Sequence, residues 1–310
     1  MGAQVWQRVV SMSTVPPPAA RLLAELLDPQ PGMSMYDPGF GSGRLLRAME
    51  QHARVRSGDN RSPTALRLFG LETDPVAFCV GAAMFAAARI QVTIALGDPM
   101  QSSVFSGPTL ATAQFDRVVL KPTWGQPIPA STLLGDPDRR FPYGRPPADS
   151  ANWAWIQHGL AALAPAGRMA VVLDAAALSR ESERHIREAI INADLLDAVV
   201  VCDSTPERRS PSGRIVAGFL ERVAILVFDR AKHHPGETML IDVGELIRGH
   251  PFDFDDLTRQ VVKRERRWKA EAGVAALARR DEIALRRYDL RPRFYVSHRP
   301  GLSTGSRLRP

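Results

Sequence analysis

The sequence predicts an α/β protein with a mainly parallel sheet and helices on both faces. Three observations carry that prediction. Short apolar, β-branched runs alternate with segments whose apolar residues recur at helical spacing. A glycine-rich turn, Tyr36-Asp37-Pro38-Gly39-Phe40-Gly41-Ser42-Gly43, separates the first such run from the first regular helix after it. Three acids, Asp37, Glu72 and Asp98, close three successive strands. In an open α/β sheet the ligand lies in the crevice outside the carboxyl ends of the strands.

Residues 1–15 read as an arm ahead of the domain. Pro16-Pro17-Pro18 opens a helix, because proline is tolerated in a first turn, and Leu22, Leu23, Leu26 and Leu27 give it one apolar face. Asp28-Pro29-Gln30-Pro31-Gly32 ends it. Met33-Ser34-Met35 begins the first strand, and Arg44-Leu45-Leu46-Arg47-Ala48-Met49-Glu50 is the helix beyond the turn. Residues 51–65 read as a polar loop. Residues 66–72 form a second strand, and Thr73-Asp74-Pro75 caps a helix that runs to Ala88. Strands follow at 91–96 and 115–120, the latter running into Lys121-Pro122-Thr123-Trp124-Gly125.

Residues 126–150 form a long, proline-rich loop carrying Arg139, Arg140 and Arg145; loops of this length in a compact domain are usually functional or mobile. A helix at 153–163 is stopped by Pro165-Ala166-Gly167. Strands at 169–173, 195–201 and 223–228, with a helix at 182–191, complete seven strands. The link between the last two strands carries Arg208, Arg209 and Arg214 and shows no helical pattern, so those strands pair antiparallel. Residues 16–250 thus form the expected catalytic-type domain. Residues 251–296 form a charged extension, helical over 253–287, and 297–310 a basic, disordered tail.

Composition narrows the function classes. The 310 residues are 45% apolar, enough for a full core, yet no apolar run reaches the ~18 residues of a membrane span. No basic segment followed by an apolar stretch opens the chain, so no secretion signal is expected and the reading is a cytoplasmic protein. Two cysteines, Cys79 and Cys202, make neither a disulfide framework nor a zinc cluster, and the histidines are scattered, so no metal is expected. The net charge is +7, and residues 291–310 hold five arginines and no acid. Such a balance suits nucleic acid, and the arginines of the two loops are the candidate phosphate contacts.

The turn itself can cradle a ligand. Glycines at alternate positions remove Cβ atoms, and the following helix offers unpaired N–H groups. The spacing does not fit the dinucleotide fingerprint G-x-G-x-x-G, because Leu46 stands at the third glycine position; a G-x-G-x-G run after an acid is the S-adenosylmethionine form. Each acid can then serve one part of that cofactor. Asp37 pairs with the ammonium of the methionine part, Glu72 accepts both ribose hydroxyls, and Asp98 accepts from the adenine amino group. Pro38, Gly39, Phe40, Gly41 and Gly43 complete the candidate cofactor site.

These motifs resemble those of the adenine-N6 DNA methyltransferase subunits of type I restriction–modification systems. The turn looks like their Asp-Pro-Ala-Cys-Gly-Ser-Gly signature, and Val15-Pro16 falls where they carry Thr-Pro. Phe69-Gly70-Leu71-Glu72 and Gly97-Asp98 match their next cofactor motifs. Phe141-Pro142-Tyr143-Gly144, Leu163-Ala164-Pro165-Ala166-Gly167-Arg168 and Tyr288-Asp289-Leu290-Arg291-Pro292-Arg293-Phe294-Tyr295-Val296 also have counterparts. The resemblance implies the S-adenosylmethionine-dependent methyltransferase (Rossmann-like) fold, seven strands ordered 3-2-1-4-5-7-6 with strand 7 antiparallel. It also implies DNA as substrate and a DNA-specificity or restriction subunit as partner.

Two departures stand out. Family members usually carry a helical domain ahead of the catalytic one, and little of this sequence precedes the first motif. Their catalytic Asn-Pro-Pro-Phe is here Lys121-Pro122-Thr123-Trp124, and Lys121 is one of only four lysines. The family's Asn accepts a hydrogen bond from the adenine amino group, whereas a protonated lysine only donates. Its charge also opposes a nitrogen that becomes positive on attack. Three readings follow: a weakly active or inactive DNA methyltransferase, a DNA-binding or assembly subunit that kept the fold, or a methyltransferase for another acceptor. Trp124 is the candidate aromatic face for a flipped base.

Overall fold

The computed structural model describes residues 15–58, 65–100, 114–123, 127–128, 141–201, 223–247 and 253–296. The expected arm before residue 15 and the expected tail after residue 296 lie outside these. The elements alternate as expected: α1 (Pro17–Leu27), β1 (Ser34–Asp37), α2 (Arg44–Ser57), β2 (Arg67–Glu72), α3 (Pro75–Ala87), β3 (Thr93–Leu96) and β4 (Phe115–Leu120). Then come α4 (Asn152–Ala161), β5 (Leu163–Asp174), α5 (Arg184–Asn192), β6 (Leu196–Val201), β7 (Val223–Asp229), β8 (Glu237–Asp242), the single turn α6 (Gly244–Ile247), α7 (Phe254–Arg267), β9 (Ala275–Arg279) and α8 (Arg280–Leu285). Local signals explain the ends. Asp74 accepts from the amides of Val76 and Ala77 and caps α3; Asp253 does the same for α7 through Asp255 and Asp256.

The strands form one sheet in the order β3-β2-β1-β4-β5-β7-β6-β8-β9. The first seven positions follow the expected order, and β7 is antiparallel to both β5 and β6. Residues alternate between two cores. Val119, Ala170 and Val172 face α1, α2 and α7, while Val118, Leu120, Met169, Val171 and Leu173 face α4 and α5. Helices therefore cover both faces, and the parallel strands β1, β2, β3 and β4 all end on one rim.

Among the described residues the sheet has nine strands, not seven. β8 pairs parallel with β6, and β9 closes the edge antiparallel to β8. The stretch 253–287 is helical only in α7 and α8, because Ala-Ala-Leu-Ala-Arg, a helix-favouring run, is drawn into the edge by backbone pairing. The helix after the turn continues to Ser57, so residues 51–57 are not loop. It is held by Glu50, fully buried, which accepts from the amides of Ala65 and Leu66 and pairs with Arg54 at 2.8 Å. The helix expected at 153–163 ends at Ala161, and β5 begins at Leu163. Pro165-Ala166-Gly167 therefore lies within a strand, beside an irregularity in its pairing with β4.

Candidate active site

Three chain reversals build the site at the carboxyl rim. β1 delivers Asp37 and the glycine turn. Gly41 and Gly43 adopt the left-handed region, at φ 53° and 70°, where a Cβ is strained. Phe40 anchors the turn: its amide donates to the Leu71 carbonyl, and its ring is buried beneath the loop. A Cβ on Gly43, Gly70 or Gly81 would come within 2.9 Å of that ring, so three glycines make the space it fills. Gly39 differs, since a Cβ there would meet only ordinary contacts, the closest being the Lys121 carbonyl at 3.8 Å. Alanine fits that position sterically, as the resembling signature has it.

Glu72 ties the turn to the end of β2. Its Oε2 accepts from the Gly41 amide at 2.6 Å. Its Oε1 accepts from the Thr73 amide at 2.8 Å, the Thr73 hydroxyl at 3.3 Å and the Asp74 amide at 2.9 Å. A carboxylate has about four lone-pair positions. One position on Oε2 remains, so Glu72 can take one ribose hydroxyl as it stands, and the bidentate grip expected from the sequence requires a protein donor to be released. Asp98 accepts from the Met100 amide at 2.8 Å through Oδ1.

Asp37 is the anomaly. It is 1% exposed, its Oδ1 accepts from the Gly39 amide at 3.0 Å, and its Oδ2 has no hydrogen-bond partner among the described residues. Burial, with a smaller push from the nearby Glu72 carboxylate, raises its pKa to about 7 against the help of the Gly39 amide. An orphaned, buried carboxylate oxygen at a cavity wall is a place prepared for a cationic group.

The cavity, about 610 Å³, is lined by Asp37, Pro38, Gly39, Phe40, Gly41, Glu72, Asp98, Lys121, Pro122 and Thr123, all expected from the sequence. Gly43 lies behind it, as the left-handed N-cap of α2. Trp124, Arg139, Arg140, Arg208, Arg209 and Arg214 lie outside the described residues. Arg145 is exposed and does not line the cavity; its carbonyl accepts from His185 Nε2 at 2.9 Å. Burial lowers the pKa of Lys121.

One side of the cavity was not legible in the sequence. Trp155 of α4, with Met100, Ile128 and Ala151, gives it an apolar wall, and Phe141 packs against the same cluster. Gln157 fixes the Phe141 loop, accepting from the Tyr143 amide and donating to the Gly144 carbonyl, both at 2.9 Å. A tryptophan on a helix carries no sequence signal of which face meets a ligand, so only the fold reveals it. Among the described residues no group of three or more His, Cys, Asp or Glu could hold a metal ion, and no helix is long and apolar enough to cross a membrane.

A family model for the N-6 DNA methylases matches residues 14–301. The chain belongs to the N-6 DNA methylase family. Among the family's type I restriction enzymes, the HindI methylase subunit of Haemophilus influenzae is 28% identical over 227 residues, covering 73% of this chain and 47% of that protein. The MjaVIII methylase subunit of Methanocaldococcus jannaschii is 26% identical over 294 residues, covering 90% and 48%. This chain thus spans about half the length of these relatives. The fold is shared with the type I restriction–modification methyltransferase subunit of Streptococcus thermophilus, at TM-score 0.75 and 20% identity over 91% of this chain and 59% of that one. The M protein of EcoKI aligns at TM-score 0.58 and 18% identity, covering 80% and 52%.

Proposed function

We propose that the cavity binds S-adenosylmethionine and that the chain is the cofactor- and adenine-binding part of a type I DNA methyltransferase subunit. The observation that carries this reading is Asp37, whose Oδ2 is buried, without a partner among the described residues and beside the glycine turn. Asp37 holds the ammonium of the methionine part, Glu72 a ribose hydroxyl, Asp98 the adenine amino group, and the Trp155 wall excludes water from one side. When bound, the cofactor supplies an electrophilic methyl on a sulfonium.

Lys121 stands where the family places its acceptor for the adenine amino hydrogens. In its protonated form it only donates, so adenine methylation by the chain as written is slow or absent. A second reading follows from the same residue: a DNA-binding or assembly subunit that retains the cofactor. DNA and a specificity or restriction subunit are the partners under either reading. Thermal unfolding with and without S-adenosylmethionine tests the cofactor claim, since a ligand that binds only the folded state raises Tm. Assaying adenine methylation on the same sample separates the two readings.

A further inference from the structure

We propose that Lys121 is itself a methyl acceptor, so that the chain methylates its own lysine when S-adenosylmethionine is bound; this rests on the cofactor reading of the cavity. Lys121 follows the last residue of β4 and lines the same cavity as Asp37, Glu72 and Asp98. The register of β1 against β4, Tyr36 beside Val118, continues to set Lys121 beside Gly39, and its carbonyl lies 3.8 Å from where a Gly39 Cβ would stand. Its side chain carries one primary amine on a four-carbon stem.

The other three lysines are placed differently. Lys232 is held at the opposite rim of the sheet by Asp194 at 2.9 Å and by the carbonyls of Leu196 and Glu237. Lys263 and Lys269 are exposed, on α7 and just beyond its end.

The chemistry favours the lysine over adenine. The adenine amino lone pair is delocalised into its ring, whereas a neutral alkylamine keeps its lone pair on nitrogen. Burial lowers the basicity of Lys121 and so raises the fraction in that neutral form. The Nζ lone pair forms a bond to the methyl carbon, and the carbon–sulfur bond breaks with its electron pair going to sulfur. The sulfonium becomes the thioether of S-adenosylhomocysteine. The methylated ammonium then gives its proton to water. No further reactant is needed.

The test is incubation of the purified chain with S-adenosylmethionine and no DNA, followed by peptide mass spectrometry. The expected result is one or more methyl groups on Lys121 and none on Lys232, Lys263 or Lys269, with Lys121→Arg unmodified. A second readout needs no turnover: S-adenosylhomocysteine slows acylation of Lys121 by a lysine-selective reagent several-fold and leaves Lys263 and Lys269 unchanged. Protection by S-adenosylhomocysteine with no methyl on Lys121 overturns this inference and leaves the cofactor reading standing. Equal methylation of the exposed lysines also overturns it. The absence of both protection and a cofactor-dependent rise in Tm overturns the cofactor reading and this inference together.

Discussion

The two rims of the sheet treat buried charge differently. At the amino rim, Arg168 of β5 pairs with Asp197 of β6 at 3.0 Å and Glu265 of α7 at 2.5 Å, with Asp229 at 3.9 Å. Lys232 meets Asp194 and two carbonyls. At the carboxyl rim, Asp37 is as deeply buried, yet one oxygen has no donor and no ion pair is formed among the described residues. The first arrangement ties elements together. The second carries a desolvation cost that the Gly39 amide offsets only in part, which is the pattern expected where a ligand supplies the missing partner.

The largest effect expected is at the amino rim. Arg168→Met leaves three carboxylates around an apolar side chain, and breaking a buried pair from one side costs about 3–5 kcal/mol. Chemical denaturation should show that loss while the dissociation constant for S-adenosylmethionine stays unchanged. A variant that instead loses the cofactor at full stability breaks the comparison. Asp197 already titrates near 6, raised by burial and only partly relieved by Arg168, so one guanidinium is shared among more acid than it neutralises.

Next in size is Lys121→Asn. It restores an acceptor of similar reach, and one such bond in the transition state contributes roughly 2–4 kcal/mol. Adenine methylation should rise by about tenfold to a thousandfold. Thr123, in place of the family's second proline, limits the gain. Methylation at an ordinary rate by the unmodified chain, slowed by Lys121→Asn, would show that Lys121 is a working residue and that the acceptor must be reconsidered.

Asp37→Asn sharpens the contrast through stability. The folded carboxyl titrates near 7 and the unfolded one near 3.8, so between those values the folded state binds more protons. Stability contributed by this group therefore falls as pH rises through that window and stays low above 7. The asparagine variant should be more stable by about 1–3 kcal/mol at pH 8 and no more stable than the unmodified chain near pH 3.5. Equal midpoints at pH 8 would mean that the burial carries no penalty. The smallest change expected is Glu72→Gln. Retaining one oxygen but not the charge, it should weaken cofactor binding by about 1 kcal/mol, read as a several-fold rise in Kd.

Much of the fold was legible. Short apolar runs and the glycine turn located β1 to β7 and their helices, because the central strands are largely buried and the α3 cap, Asp74 before a proline, is visible in the sequence. β8 and β9 were missed for a physical reason. Met239-Leu240-Ile241 is short, and Ala275-Ala276-Leu277-Ala278 has helix-forming composition; only pairing at the sheet edge makes it a strand. In the site, the acids at strand ends were readable because the fold class says where they meet. The Trp155 wall, and the fact that Glu72 already serves four protein donors, were not, since both depend on contacts far apart in the chain.

The central claim is that Asp37 is left open for the cation of S-adenosylmethionine. Calorimetric titration of the cofactor into the unmodified chain and Asp37→Asn, at pH 6 and pH 8, tests it most directly. Binding to the ionised carboxylate predicts tighter binding at pH 8 than at pH 6, as the group with a pKa near 7 gives up its proton. For Asp37→Asn, the loss of one charge-assisted hydrogen bond predicts a Kd about tenfold to a hundredfold weaker at pH 8, with little pH dependence remaining. Equal affinity in the two proteins at pH 8, or no binding by the unmodified chain at millimolar cofactor, contradicts the account.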